Sequence, residues 1–200
     1  PPPPPPPPPA PRFQAEDGIR DDLEGLVGSE MCIRDSCDSW TNGGMGTPCV
    51  HAGGILASSQ TTASWVAELS ERGARHWVTG TAAPCTGLFK PVHVEEPLEL
   101  GPTPTDRADD AGLWWRHERL HRRVLADPAR LLPVYREQRD AVEKEWLADP
   151  PDSAHAFAEG ERLLEDWAER VSRKTGADTR PGYVRRYWKK RNERAGLRLD

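Results

Sequence analysis

"TTASWVAELSERGARHWVTGT" occupies residues 61–81, and its reading decides the fold. In an extended chain Ala63, Trp65, Ala67 and Leu69 point one way, while Thr62, Ser64, Val66 and Glu68 point the other. Alternation with period two predicts a half-buried strand over 61–69. "SERGA" supplies the turn, and "RHWVTGT" (75–81) is the antiparallel return strand. On the N-terminal side, "PCVHAGGIL" (48–56) is a short apolar run interrupted by Gly53-Gly54, which predicts a bend or a close backbone approach. On the C-terminal side, "GLFKPVHV" (87–94) is a further extended piece, and Pro91 predicts a sheet edge or a strand end. Roughly four strands are expected in all.

Residues 95–110, rich in Pro, Asp, Glu and Thr, read as a surface linker. The remainder reads as helical. One helix is expected over 111–126. A second, over 128–147, places Leu131, Tyr135, Val142 and Trp146 on one side. A third, over 153–174, carries Phe157, Leu164, Trp167 and Val171 at helical spacing. Strands followed by helices make an α+β pattern, with few strands for so many helices, as in part of a domain.

The chain has 200 residues and a formal charge of −5. Residues 1–36 hold three arginines, seven acidic residues and ten of the 21 prolines, leaving a charge of about −1 for residues 37–200. A near-neutral body does not call for nucleic acid or an anionic membrane as partner. No apolar run reaches the ~18 residues of a membrane span, and no signal-peptide pattern opens the chain. The nine prolines at 1–9 read as an extended, solvated helix. "AEDGIRD" (15–21) and "VGSEMCIRDS" (27–36) resemble translated sequencing-adapter DNA, so residues 1–36 are expected to be a non-native or disordered arm. Residues 37–200 form the domain part.

Of the four cysteines, Cys32, Cys37, Cys49 and Cys85, none forms a C-x-x-C pair. Cys49 and Cys85 are expected to be reduced core thiols in a cytoplasmic protein. "HERLH" (117–121) matches H-E-x-x-H, in which His117 and His121 share a helix face and could hold Zn²⁺ while Glu118 activates water. The extended form of that motif is missing, since Val124 and Asp127 stand where Gly and His would. Glu143 or Glu145 is the available third ligand. The alternative is an amphipathic helix with paired charges, packed through Trp114, Leu120 and Val124.

A longer pattern competes. "PCVHAGG", "SSQTTASWVAEL", "HWVTGTAAPCTGLFKPV" and "LWWRHERLHRRVL" stand in one order between Pro48 and Leu125. Together they resemble the C-terminal half of the secernin and cysteine dipeptidase family of N-terminal-nucleophile hydrolases, with similarity running to about Trp146. The resemblance implies part of an αββα sandwich, its late antiparallel strands followed by helices, and hydrolysis of dipeptide amide bonds. The nucleophile would be an N-terminal cysteine whose own α-amino group, with a pKa near ~8, is the base. It implies no metal or other cofactor, a dipeptide or small peptide as partner, and an ordinary helix at "HERLH".

Cys37-Asp38-Ser39 echoes the family's Cys-Asp start. About ten residues separate it from "PCVHAGG", enough for one strand and a turn at ~3.3 Å per residue. Half a sheet does not fit there, so the nucleophile is expected to lie outside this chain, with Cys37 the candidate within it. His51 reads as a structural histidine or as a substrate-binding residue. Gln60, Thr61 and Thr62 could orient substrate or close strand-end hydrogen bonds. His76 reads as strand packing and Lys90 as a surface charge. The tail 180–199 carries eight basic residues among Tyr183, Tyr187 and Trp188. It reads as a terminal helix docked by its aromatics; the alternative is a non-enzymatic module that binds nucleic acid.

Overall fold

The computed structural model describes residues 49–53, 59–71, 73–174 and 176–199. The arm 1–36, Cys37, and Pro48 and residues 54–56 of the 48–56 run lie outside the described residues.

Three strands form one antiparallel sheet in the order β1-β2-β3: β1 is Trp65–Ser70, β2 is Gly73–Val78 and β3 is Lys90–Val92. The hairpin sits where alternation predicts it, with Trp65 opposite Val78 and Ser70 opposite Gly73. Gly73 has φ +122°, a value open to glycine and strained for any side chain. β3 pairs Lys90 with Val78 and Pro91 with Trp77, at an edge of the three. Pro91 has no N–H to give a further ladder.

Register puts Trp65, Val78 and Lys90 on one face of the sheet and Val66, Trp77 and Pro91 on the other. The apolar face expected on the first strand is the exposed one: Trp65 is 65 % and Leu69 79 % accessible. Alternation separates the two faces of a strand but does not say which strand the helices reach. They pack on β3, and β1 lies at the far edge. Trp65 instead lies edge-on to His76 and donates Nε1–H to its Nδ1 at 3.2 Å. Leu69→Thr is therefore expected to change unfolding free energy by less than about 0.5 kcal/mol in urea titrations. A loss of about 1.5 kcal/mol or more would mean the side chain is buried after all.

The helices are α1 (Leu113–Val124), α2 (Pro128–Leu131), α3 (Arg136–Ala148), α4 (Ser153–Ser172) and α5 (Gly182–Ala195). The single helix expected over 128–147 is broken. A 3-10 turn, Leu132–Val134, separates α2 from α3, and Pro133 at its centre can neither donate to the helical ladder nor clear the preceding turn. α4 follows its pattern: Phe157, Leu164, Trp167 and Val171 are all buried, and Asp152 caps it by accepting from His155 N–H at 2.8 Å. Trp167 stacks on Tyr135 with ring centres 4.8 Å apart, joining α4 to the start of α3. α5 is the docked tail, with Val184 and Trp188 buried beside Ala52 and Leu125, and Arg185, Arg186, Lys189, Lys190 and Arg191 exposed. The linker 95–110 has no regular structure and is pinned to α5 by Ala108 N–H on the Ala195 carbonyl, 2.8 Å.

α1 is buried through Leu113, Trp115, His117, Glu118, Leu120, His121, Arg122 and Val124, on far more than one stripe. It is the central element, and four of those side chains are polar or charged. Among the described residues no helix is long and apolar enough to cross a membrane. The architecture is α+β, as expected.

Candidate functional site at the Cys49, His51 and Cys85 cluster

Three separated pieces of chain meet above α1. Residues 49–51 and 60–62 are tied together by Thr61 N–H to the Val50 carbonyl (3.0 Å) and Val50 N–H to Thr61 Oγ1 (2.9 Å). The third piece is the 3-10 turn Pro84–Thr86, joined by Ala83 N–H to the Thr61 carbonyl at 2.9 Å. Ala83 itself has φ 49° and ψ 74°, a left-handed conformation that costs a residue with a Cβ roughly 1–2 kcal/mol. That strain sits one turn from Cys85.

His51 is the centre of the cluster. Its Nε2 lies 3.2 Å from Cys49 Sγ and 3.0 Å from Cys85 Sγ. Both cysteines are fully buried and His51 is 5 % exposed. The donor atoms of these three residues fall within 4.8 Å of one another. His121 packs edge-on to His51 with ring centres 5.7 Å apart, and Thr86 Oγ1 lies 3.1 Å from its Nδ1. The turn carrying Cys85 is held from outside as well. Tyr135 donates its hydroxyl to the Thr86 carbonyl at 3.1 Å, and Arg139, with no exposed surface, donates Nη1–H to the Cys85 carbonyl.

The histidines of α1 do share a face: the His117 and His121 rings are parallel, with centres 6.4 Å apart. Burial pushes His117 down to about 4, the Lys90 and Arg139 charges pushing the same way and the Thr86 carbonyl opposing. Burial likewise holds His121 well below its usual range, with His51 and His117 adding to the effect. Both rings are neutral at pH 7.

Glu118 is engaged by protein donors. It accepts from Arg122 Nε at 2.7 Å and from Gln60 Nε2 at 3.0 and 3.2 Å. Burial raises its pKa against the pull of Arg122. The Arg122 guanidinium lies over the Trp188 ring at 4.9 Å and the Trp115 ring at 5.6 Å, and donates to Asn192 Oδ1 at 2.7 Å. Glu143 accepts from Phe89 N–H at 2.9 Å, and Glu145 is exposed.

The structure brings together His51, Gln60, Thr61, His117, Glu118 and His121. Gln60 and Thr61 close hydrogen bonds between segments, and Thr62 gives its carbonyl to Trp114 Nε1–H at 3.0 Å. Cys37 lies outside the described residues. Lys90 is a correction: it is 3 % exposed, with Nζ donating to the carbonyls of Thr79 (2.7 Å) and Leu88 (2.8 Å). Those carbonyls draw the ammonium inward, its stem runs past Gly160, and its nitrogen lies 5.2 Å from the Phe157 ring centre. Burial lowers its pKa to about 8, against the charges of Glu143 and Glu161. Missed from sequence was the pairing of Cys49 with His51. Two positions apart in extended chain, they point to the same side. Comparison with protein-family models, with curated proteins and with solved structures gives no match.

Proposed function

We propose that residues 37–200 are the late-sheet and helical part of a cysteine-type hydrolase of dipeptides, built as an αββα sandwich and working in the cytoplasm. The observation that carries this is the way the blocks bearing the family resemblance are stitched together. Cys49-Val50-His51 pairs with Gln60-Thr61-Thr62 through Val50 and Thr61. Thr79-Gly80-Thr81 joins the same segment, with Ser64 N–H on Thr79 Oγ1 at 3.0 Å and Thr79 N–H on the Ser64 carbonyl at 3.1 Å. Leu88-Phe89-Lys90-Pro91 closes on it through Lys90 and the Thr79 carbonyl. Blocks read as one pattern along the chain form one hydrogen-bonded unit in space.

The chemistry of the class uses a cysteine at the chain's first position. Its α-amino group takes the thiol proton, the sulfur attacks the amide carbon, and the proton passes to the leaving amine; water then cleaves the thioester. Cys49 and Cys85 are internal and fully buried, so neither has an α-amino base or access to a dipeptide. The nucleophile is therefore assigned to another part of the protein. The "HERLH" alternative is less well supported, because Glu118, its water-activating group, has both oxygens engaged by Arg122 and Gln60.

Two proteins test the proposal: this chain, and the product of the uninterrupted reading frame that contains it. The chain alone is expected to cleave no dipeptide. The uninterrupted product is expected to cleave dipeptides and to lose that activity when its leading cysteine becomes serine. Inactivity of both would sink the dipeptidase reading. Activity of the chain alone that disappears in Cys37→Ser would make Cys37 the nucleophile.

A further inference from the structure

We propose that Cys49 Sγ, His51 Nε2 and Cys85 Sγ form a binding site for a thiophilic divalent metal ion of the zinc class. The site stands apart from the hydrolase reading, which requires no metal.

Donor geometry is the first argument. Zinc binds sulfur at about 2.3 Å and imidazole nitrogen at about 2.0–2.1 Å, so a tetrahedral ion separates N from S by roughly 3.5 Å. His51 Nε2 stands 3.2 and 3.0 Å from the two sulfurs. Spreading the donors by a few tenths of an ångström admits the ion. Two thiolates and a neutral imidazole are also the soft donor set that selects zinc over calcium or magnesium.

Charge is the second argument. The cluster is sealed from water, with exposures of 0 %, 5 % and 0 % for Cys49, His51 and Cys85. A dication there would be costly to bury alone, but two thiolates cancel its charge.

Support around the donors is the third. Cys85 rides on a turn fixed by Ala83, Tyr135 and Arg139. His51 is braced by the His121 ring. Contacts of this sort fix the backbone and ring positions from which the donors converge. Two rival states use the same atoms: a Cys49–Cys85 disulfide, and a metal-free thiol–imidazole network.

The test uses the full chain with Cys32→Ser and Cys37→Ser, so that only the two buried thiols remain. Titration with Co²⁺ alone is expected to give one ion per chain, with the thiolate charge-transfer band of a low-coordinate cobalt–thiolate site. Cys49→Ala, Cys85→Ala and His51→Ala should each weaken binding at least tenfold. Zn²⁺ should raise the melting temperature of the parent and not of these variants. Cadmium NMR of the parent reads two sulfur donors directly, and needs no variant that might fail to fold. Absence of cobalt bands and of a cadmium signal would overturn the site. Thiols that appear only after reduction would replace it with a disulfide. Metal retained by Cys49→Ala and lost in His117→Ala would move it to the "HERLH" helix.

Discussion

Glu118→Ala is expected to destabilise the fold by about 3–5 kcal/mol, the cost of removing one partner from a buried ion pair. The carboxylate side chain is 1 % and the Arg122 side chain 9 % exposed. Removing it leaves the Arg122 guanidinium enclosed by Trp115 and Trp188, with only Asn192 among the described residues to accept from it. Gln60 Nε2 loses its acceptor in the same step. For a domain of this size the melting temperature should fall by about 6–20 °C. The double variant Glu118→Leu, Arg122→Met should recover much of the loss, because an apolar pair of similar volume leaves no charge stranded. Recovery will be incomplete, since the guanidinium's stacking and its bond to Asn192 go too. A loss below about 1 kcal/mol for Glu118→Ala would place the pair among solvent-screened ones. The zinc-peptidase reading predicts the opposite pattern, with activity abolished and stability unchanged.

That pair also shows what the sequence could and could not disclose. Glu118 and Arg122 are four apart on a helix, so their contact was legible. Their burial was not, because it depends on α5 returning from about 70 residues away to lay Trp188 over the guanidinium. The hairpin was legible from alternation and α4 from its spacing, both local signals. Lys90 was misread because its acceptors are backbone carbonyls, to which sequence patterns are blind. The broken helix has a local cause in Pro133, whose missing N–H outweighs the apolar stripe that continues on both sides of it. In the site, Cys49 and His51 were within reach of a period-two argument. Cys85 was not, because nothing local says that a turn 34 residues later meets them.

Mild acid should destabilise the protein before the carboxylates with lowered pKa values titrate, and His117 is the reason. In the fold its pKa is about 4, against 6.5 for the free side chain. Between those values the unfolded chain binds a proton that the fold refuses. Stability therefore falls as pH drops through 6.5, and this contribution levels off below about 4. The difference amounts to roughly 3 kcal/mol for this one histidine. His121, held low by the same burial, acts in the same direction. Glu118 acts against both, because its pKa is raised and its protonation favours the fold as pH falls. The pH 6.5–5.0 window separates the histidines from Asp178 and Glu159, whose lowered pKa values place their losses at more acid pH. Urea midpoints measured in chelator at pH 7.0, 6.0 and 5.0 should fall steadily for the parent chain. His117→Gln, polar but without a titrating ring, should start lower at pH 7 and show a flatter slope. Equal slopes in the parent and in His117→Gln, which share Glu118, would mean that His117 takes up its proton inside the fold, and so that water reaches the face of α1 on which it stands.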